Sequence, residues 1–170
     1  PLPEVPASRR EPVMSKSLAR VTAALHAAGL PGRPVEMAAE TRTAEQAAEA
    51  AGCALDQIVK SILFQGESGR LYLFLTAGGN RVDPEAASAL AGEALGRADG
   101  TTVRSVTGFA IGGVAPLGHL TPSPVWMDPR LFDFATVWAA AGTPRHIFPA
   151  DPQALCLASG ARRAAFCTPA

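Results

Sequence analysis

Apolar residues recur at Leu18, Val21, Leu25 and Ala28, the three-to-four spacing of an amphipathic helix, with Ser15 or Ser17 as its cap and Gly29 as its stop. Pro34–Ala38 reads as a short strand. Thr43-Ala-Glu-Gln46 has the form of a capping box and opens an alanine-rich helix that ends at Gly52. Two apolar runs, Leu55–Phe64 and Leu71–Ala77, flank a turn at Gly66–Gly69 and predict a hairpin buried on most of both faces. Gly78-Gly79-Asn80 predicts a turn, and Asp83-Pro84-Glu85 a helix start whose helix fades by Gly92. A short strand is placed around Leu95–Ala98, then one or two helical turns over Thr101–Val106. Strands follow at Val125–Asp128, Ala135–Ala139 and Arg145–Phe148, and Asp128-Pro129 opens a tight turn or short helix. Asp151-Pro152 caps a last helix that stops near Gly160.

Strands and helices alternate without a regular βαβ rhythm. The pattern predicts an α+β fold, a single compact domain with a curled, barrel-like, mixed but mostly antiparallel sheet flanked by helices. Residues 1–14 hold four prolines and no apolar period and read as a flexible tail, leaving 15–170 as the domain.

Length and composition narrow the class. A chain of 170 residues with 48% apolar and 18% charged residues buries a continuous core and is not disordered. Zero formal net charge argues against a broad basic surface for nucleic acid, DNA included, while leaving room to grip one strand end with a few groups. The three cysteines, Cys53, Cys156 and Cys167, form no CxxC or Cys/His ligand spacing, so neither a zinc site nor a disulfide framework is expected. No metal and no cofactor are called for. Free thiols and the lack of an apolar run long enough for a membrane span or a signal peptide suggest a cytoplasmic protein without a membrane partner.

Two features carry candidate chemistry. Residues 105–119 contain Gly108, Gly112, Gly113, Gly118 and Pro116 in an otherwise apolar stretch. That composition describes a loop of fixed shape whose amides can face a small ligand, or an ordinary buried turn. The second is Lys60. Of fifteen cationic residues thirteen are arginine, the other lysine being Lys16, yet a lysine stands inside an apolar strand. Its compact ammonium suits a phosphate or carbonyl oxygen; the plainer reading is a strand-edge side chain reaching for water. Among other candidates, His119 reads as a structural histidine beside the loop and His26 as a surface one. His146 either orients a ligand or caps a strand. Trp126 and Trp138 read as core, Arg81 as solvated, and Arg162-Arg163 is too short to be a nucleic-acid patch.

Lys60 in its strand, the Thr107-Gly-Phe-x-x-Gly-Gly-Val-x-Pro-x-Gly118 loop and the later Ala141-Gly142…His146 segment together resemble the YbaK/EbsC family, similar to the editing insert of bacterial prolyl-tRNA synthetases. The similarity runs from about residue 17 to residue 167. It implies hydrolysis of the ester joining a wrong, small amino acid to tRNA, with proline tRNA the expected carrier. The partners it implies are the tRNA acceptor 3′ end and a synthetase. The resemblance places Lys60, Gly112, Gly113, Val114 and Pro116 in the catalytic set. Met37, Ser61, Phe109, Ala115, Gly142 and His146 are expected to bind substrate, and Ser61, after the lysine, belongs to the positions that tune which side chain is accepted. Loop amides would stabilise the oxyanion, Lys60 would hold the terminal phosphate or ribose, and the neighbouring 2′-hydroxyl would help activate water without a covalent intermediate. A non-catalytic module of the same fold that captures an aminoacyl or nucleotide end is the alternative. A Schiff-base role for Lys60 lacks any partner acid or base nearby in sequence.

Overall fold

The computed structural model describes residues 15–170; the predicted tail at 1–14 lies outside the described residues. Ser15 accepts from the Leu18 N–H and opens α1 (Lys16–Ala27), which buries Leu18, Val21 and Leu25. The capping box at Thr43 and Gln46 is present in both directions and opens α2 (Ala44–Ala51). Asp83, Asp99 and Asp151 cap α3 (Pro84–Ala91), α4 (Gly100–Thr107) and α5 (Pro152–Ser159). In each case a short side-chain acceptor satisfies an N–H that the first helical turn leaves free.

The predicted hairpin is β2 (Ile58–Gly66) and β3 (Leu71–Ala77), paired from Val59↔Ala77 to Gln65↔Leu71. It is the centre of a sheet completed by β1 (Val35–Glu36), β5 (Leu95–Arg97), β6 (Val125–Met127), β7 (Val137–Ala140), β8 (His146–Ala150) and β9 (Arg162–Arg163). The order is β1-β8-β7-β2-β3-β6-β9, with β5 also on β2. A two-stranded sheet joins β4 (Asn80–Val82) to β10 (Cys167–Pro169). In the large sheet four of the seven pairings are antiparallel and three parallel, the mixed and mostly antiparallel sheet expected, and the small sheet is antiparallel.

The two faces of the hairpin carry different cores. Val59 and Leu63 pack with Leu73, Leu75 and the α1 residues, and with Phe109, Val114 and Ala115 beyond them. Ile62 and Phe64 pack on the other face with Phe74, Trp126 and Phe166. Because successive strand residues alternate faces, Ser61 stands on the first side and Lys60 on the second. Four short strands depart from the sequence reading. The first, β1, keeps only two residues of Pro34–Ala38. The others, β4, β9 and β10, occupy stretches read as turn or irregular, and each exists through a partner distant in sequence. Among the described residues, no helix is long and apolar enough to cross a membrane.

Candidate active site

The glycine-rich loop starts where α4 ends, at Gly108, and is gripped from α1. The guanidinium of Arg20 donates through Nε to the Gly118 carbonyl at 2.8 Å and through Nη2 to the Gly108 carbonyl at 2.9 Å. It also lies 4.7 Å from the centre of the Phe109 ring. One planar fork thus holds both ends of the loop, which a lysine ammonium does less well. Inside the loop, Gly112 takes φ +94°, a left-handed conformation that favours glycine. The Gly113 N–H closes a turn on the Ala110 carbonyl at 3.0 Å. A Cβ at Gly113 would lie 2.9–3.0 Å from the backbone of Thr143, so the loop rests directly on the turn that follows β7. The amides of Gly112, Val114 and Ala115 find no acceptor among the described residues. Such a run of unpaired amides suits a developing negative charge.

His119 braces the loop from below. Its Nε2 lies 2.6 Å from the Ala115 carbonyl, and since a carbonyl only accepts, Nε2 carries the proton. Burial pushes the His119 pKa below its ordinary 6.5; the Ala115 carbonyl opposes that shift and the charge of Arg20 adds to it. The unfolded chain therefore takes up a proton near pH 6.5 while the folded one resists it. Stability from this residue is complete above that value and is lost as pH falls below it. A melting series from about pH 7.5 to about pH 5 should show a falling Tm, with a shallower slope in His119→Gln, which keeps a donor but does not titrate.

A cavity of about 760 Å³ lies beside the loop, bounded by α2 and the turn before it, β2, β5, the loop itself and β7. Of the residues singled out from sequence, Lys60, Ser61, Gly112 and Val114 line it. Trp138, read as core, also lines it, because strand alternation buries Val137 and Ala139 and leaves Trp138 half-buried. Arg42, in the approach to α2, and Arg97, on β5, also line it. The volume falls in the range that holds a nucleoside-sized ligand.

Lys60 lines this wall from the second face of β2, the face of Ile62 and Phe64, which line it too. There Nζ donates to the Asn80 carbonyl at the start of β4. The carbonyl is itself fixed. Asp128, 3% exposed, accepts from the Asn80 side-chain amide at 2.9 Å, the Ala77 N–H at 3.1 Å and the Arg130 N–H at 2.9 Å. Asp56 holds the same turn through the Gly79 N–H at 2.8 Å. Burial, followed by the charge of Asp128, pushes the nearby Cys167 thiol up to about 12, so it is a plain thiol. One of three ammonium donors on Lys60 is thus committed, leaving two for a ligand.

The remaining predicted site residues stand behind the cavity wall. Phe109 is fully buried between Arg20 and His119. Gly113, Ala115 and Pro116 are buried within the loop and support it. Met37, just after β1, binds the Arg145 carbonyl through its N–H at 2.7 Å. Gly142 rests against the Ser17 carbonyl on α1. His146 Nδ1 pairs with the Thr143 hydroxyl at 2.6 Å, which shapes the turn under Gly113. These residues are brought to one place, the footing of the loop, rather than to the cavity surface.

Residues 38–156 match the aminoacyl-tRNA editing domain family. The chain belongs to that family. A solved structure described as a candidate trans-editing enzyme for prolyl-tRNA synthetase is 48% identical to this editing domain, with a TM-score of 0.83, covering 89% of this chain and 97% of that one. A scaffold protein from work on grafting epitope backbones by computational design is 43% identical at TM-score 0.83, covering 92% and 99%. Among curated proteins, YwhH of Bacillus subtilis (strain 168) is 32% identical over 120 residues, 71% of this chain and 76% of that protein.

Sequence reasoning missed two supports of the candidate site. Arg20 gave no signal, since its partners are 88 and 98 residues away. Asp128 was half legible: it opens the 3-10 turn Pro129–Asp133 as an Asp-Pro pair should, but its hold on Asn80 spans 48 residues and depends on β6 lying beside β3.

Proposed function

We propose that this editing domain is a trans-acting aminoacyl-tRNA deacylase that removes small misattached amino acids, from proline tRNA in particular, in the cytoplasm. Family membership and the likeness to a candidate prolyl-tRNA trans-editing protein support the class of reaction. The observation that carries the chemistry is the pair of unpaired amides at Gly112 and Val114, both lining a cavity of nucleoside size.

An aminoacyl ester is already activated. Its hydrolysis needs a placed water and stabilisation of the oxyanion, and each lost oxyanion donor costs about 100-fold or more in rate. The loop supplies donors that need not reorganise, because Arg20, His119 and Thr143 hold its shape. Val114, Leu63 and Trp138 form apolar walls that favour a short side chain, with the 1–3 kcal/mol per methylene typical of such pockets. Lys60, with two donors left, holds an oxygen of the terminal phosphate or ribose; the adjacent 2′-hydroxyl helps place the water.

A panel of alanyl-, seryl-, threonyl- and cysteinyl-tRNA tests the proposal. At least one ester is cleaved faster than in buffer, and Lys60→Ala lowers kcat/KM for it by about 10- to 100-fold, the value of a charge-assisted contact. If no ester on the panel is cleaved above the buffer rate, the domain is a binding module and not a deacylase.

A further inference from the structure

Strand β2 has one complete edge and one broken edge. Along the first it pairs with β3 over seven residues. Along the second it meets β7 only at Ile58 and Val59, and β5 only from Phe64 to Gly66. Residues 60–63 have no strand beside them there, and the gap opens into the cavity.

The register decides which groups face the gap. On β3 the Leu73 N–H donates to Pro124 and the Ala77 N–H to Asp128, while the Leu75 carbonyl accepts from the Asp128 N–H. Odd-numbered β3 residues therefore turn their main chain away from β2, and even-numbered ones turn towards it. In an antiparallel ladder the facing residues exchange the bonds, so Lys60 and Ile62 pair with Thr76 and Phe74. Ser61, between them, turns both its N–H and its carbonyl into the gap, and the Leu63 N–H follows. None of these three groups has a partner among the described residues. The Ser61 hydroxyl is likewise a buried polar atom without a partner among the described residues. Three unpaired polar groups on one half-buried residue are costly unless a ligand or water completes them.

We infer that the broken edge at Ser61 receives the main chain of the aminoacyl group as though it were one residue of an added strand. The free α-ammonium donates to the Ser61 carbonyl, and an ester or ribose oxygen accepts from the Ser61 and Leu63 amides. The carbonyl of the ester is left to the loop. The inference rests on the deacylase reading for the identity of the occupant and adds what the site reads: a free amino group, whatever the side chain. Esters whose nitrogen is replaced by a hydroxyl fill nearly the same space but offer a neutral donor in place of the charged ammonium, and an acylated nitrogen is both uncharged and bulkier.

Two measurements on the unaltered protein test it. In the first, alanyl-tRNA is compared with lactyl-tRNA, in which a hydroxyl replaces the ammonium, each rate divided by its own rate in buffer. The enhancement should drop about 10- to 100-fold for the lactyl ester; equal enhancements overturn the inference. In the second, adenosine carrying a stable 3′-alanylamide is added to 15N-labelled protein, with the 3′-lactylamide alongside. The alanylamide should shift the Ser61 and Leu63 amide resonances and bind more tightly than the lactylamide. Shifts confined to Gly112–Ala115, equal affinities, or no binding overturn the inference. Binding with the expected shifts but without cleavage of any ester retires the deacylase reading alone.

Discussion

Gly113→Ala should lower kcat/KM for the preferred aminoacyl-tRNA by about 100-fold while leaving the protein folded. The new Cβ would stand 2.9–3.0 Å from the Cα, C and N atoms of Thr143, closer than real Cβ atoms approach backbone. Neither side can yield cheaply. Thr143 belongs to a turn fixed by its own hydroxyl on His146 and the Arg145 N–H, and the loop is tied at both ends by Arg20. The strain is relieved by lifting residues 112–115, the segment whose amides are to meet the oxyanion. A shift of a few tenths of an ångström lengthens those hydrogen bonds without emptying the core beneath. Gly100→Ala is the control. Its Cβ meets only the flexible end of Ile111, at 3.4 Å, and activity should stay close to that of the parent. Steady-state kinetics with a Tm for each variant separates the two effects.

Asp128→Ala should have the largest effect on stability, about 3 kcal/mol or more, seen as a fall in Tm of roughly 6–12 °C. The buried carboxylate satisfies three donors, from Ala77, Asn80 and Arg130. Alanine leaves all three facing a void in the interior, each at about 1–3 kcal/mol. The loss also unfastens the Asn80 carbonyl that holds Lys60, so activity should fall beyond what the lost stability explains. Asp128→Asn keeps one acceptor oxygen and should lie between parent and alanine. If Asp128→Ala melts within a degree or two of the parent, the carboxylate is not the hub the hydrogen bonds describe.

The sequence revealed what is local. Caps at Ser15, Thr43, Asp83 and Asp151 were readable because a cap and its helix are neighbours in the chain. The β2–β3 hairpin was readable because its turn is short and its apolar content unbroken but for Lys60 and Ser61. The loop stood out through glycine and proline, and Lys60 through the scarcity of lysine in an arginine-rich chain. What stayed hidden depends on long-range pairing. β4 and β10 lie more than eighty residues apart, and neither has enough apolar pattern to announce a strand. The direction of the Lys60 side chain followed from which face of β2 met which core, and no residue type specifies that. Trp138 reads as core in any apolar strand; only the missing neighbour beside residues 60–63 turns its wall into a cavity. Ser61, expected to tune the side chain, gains its importance from backbone atoms that every residue carries.

The grip of Arg20 on the loop has a consequence for dissection of the protein. Arg20 and Ser17 sit on α1, upstream of the stretch 38–156 by which the family is recognised. A fragment trimmed to that stretch would keep every wall of the cleft yet lose the fastening that sets its curvature. The recognisable core and the competent unit are therefore different lengths of chain, and the first helix is what separates them.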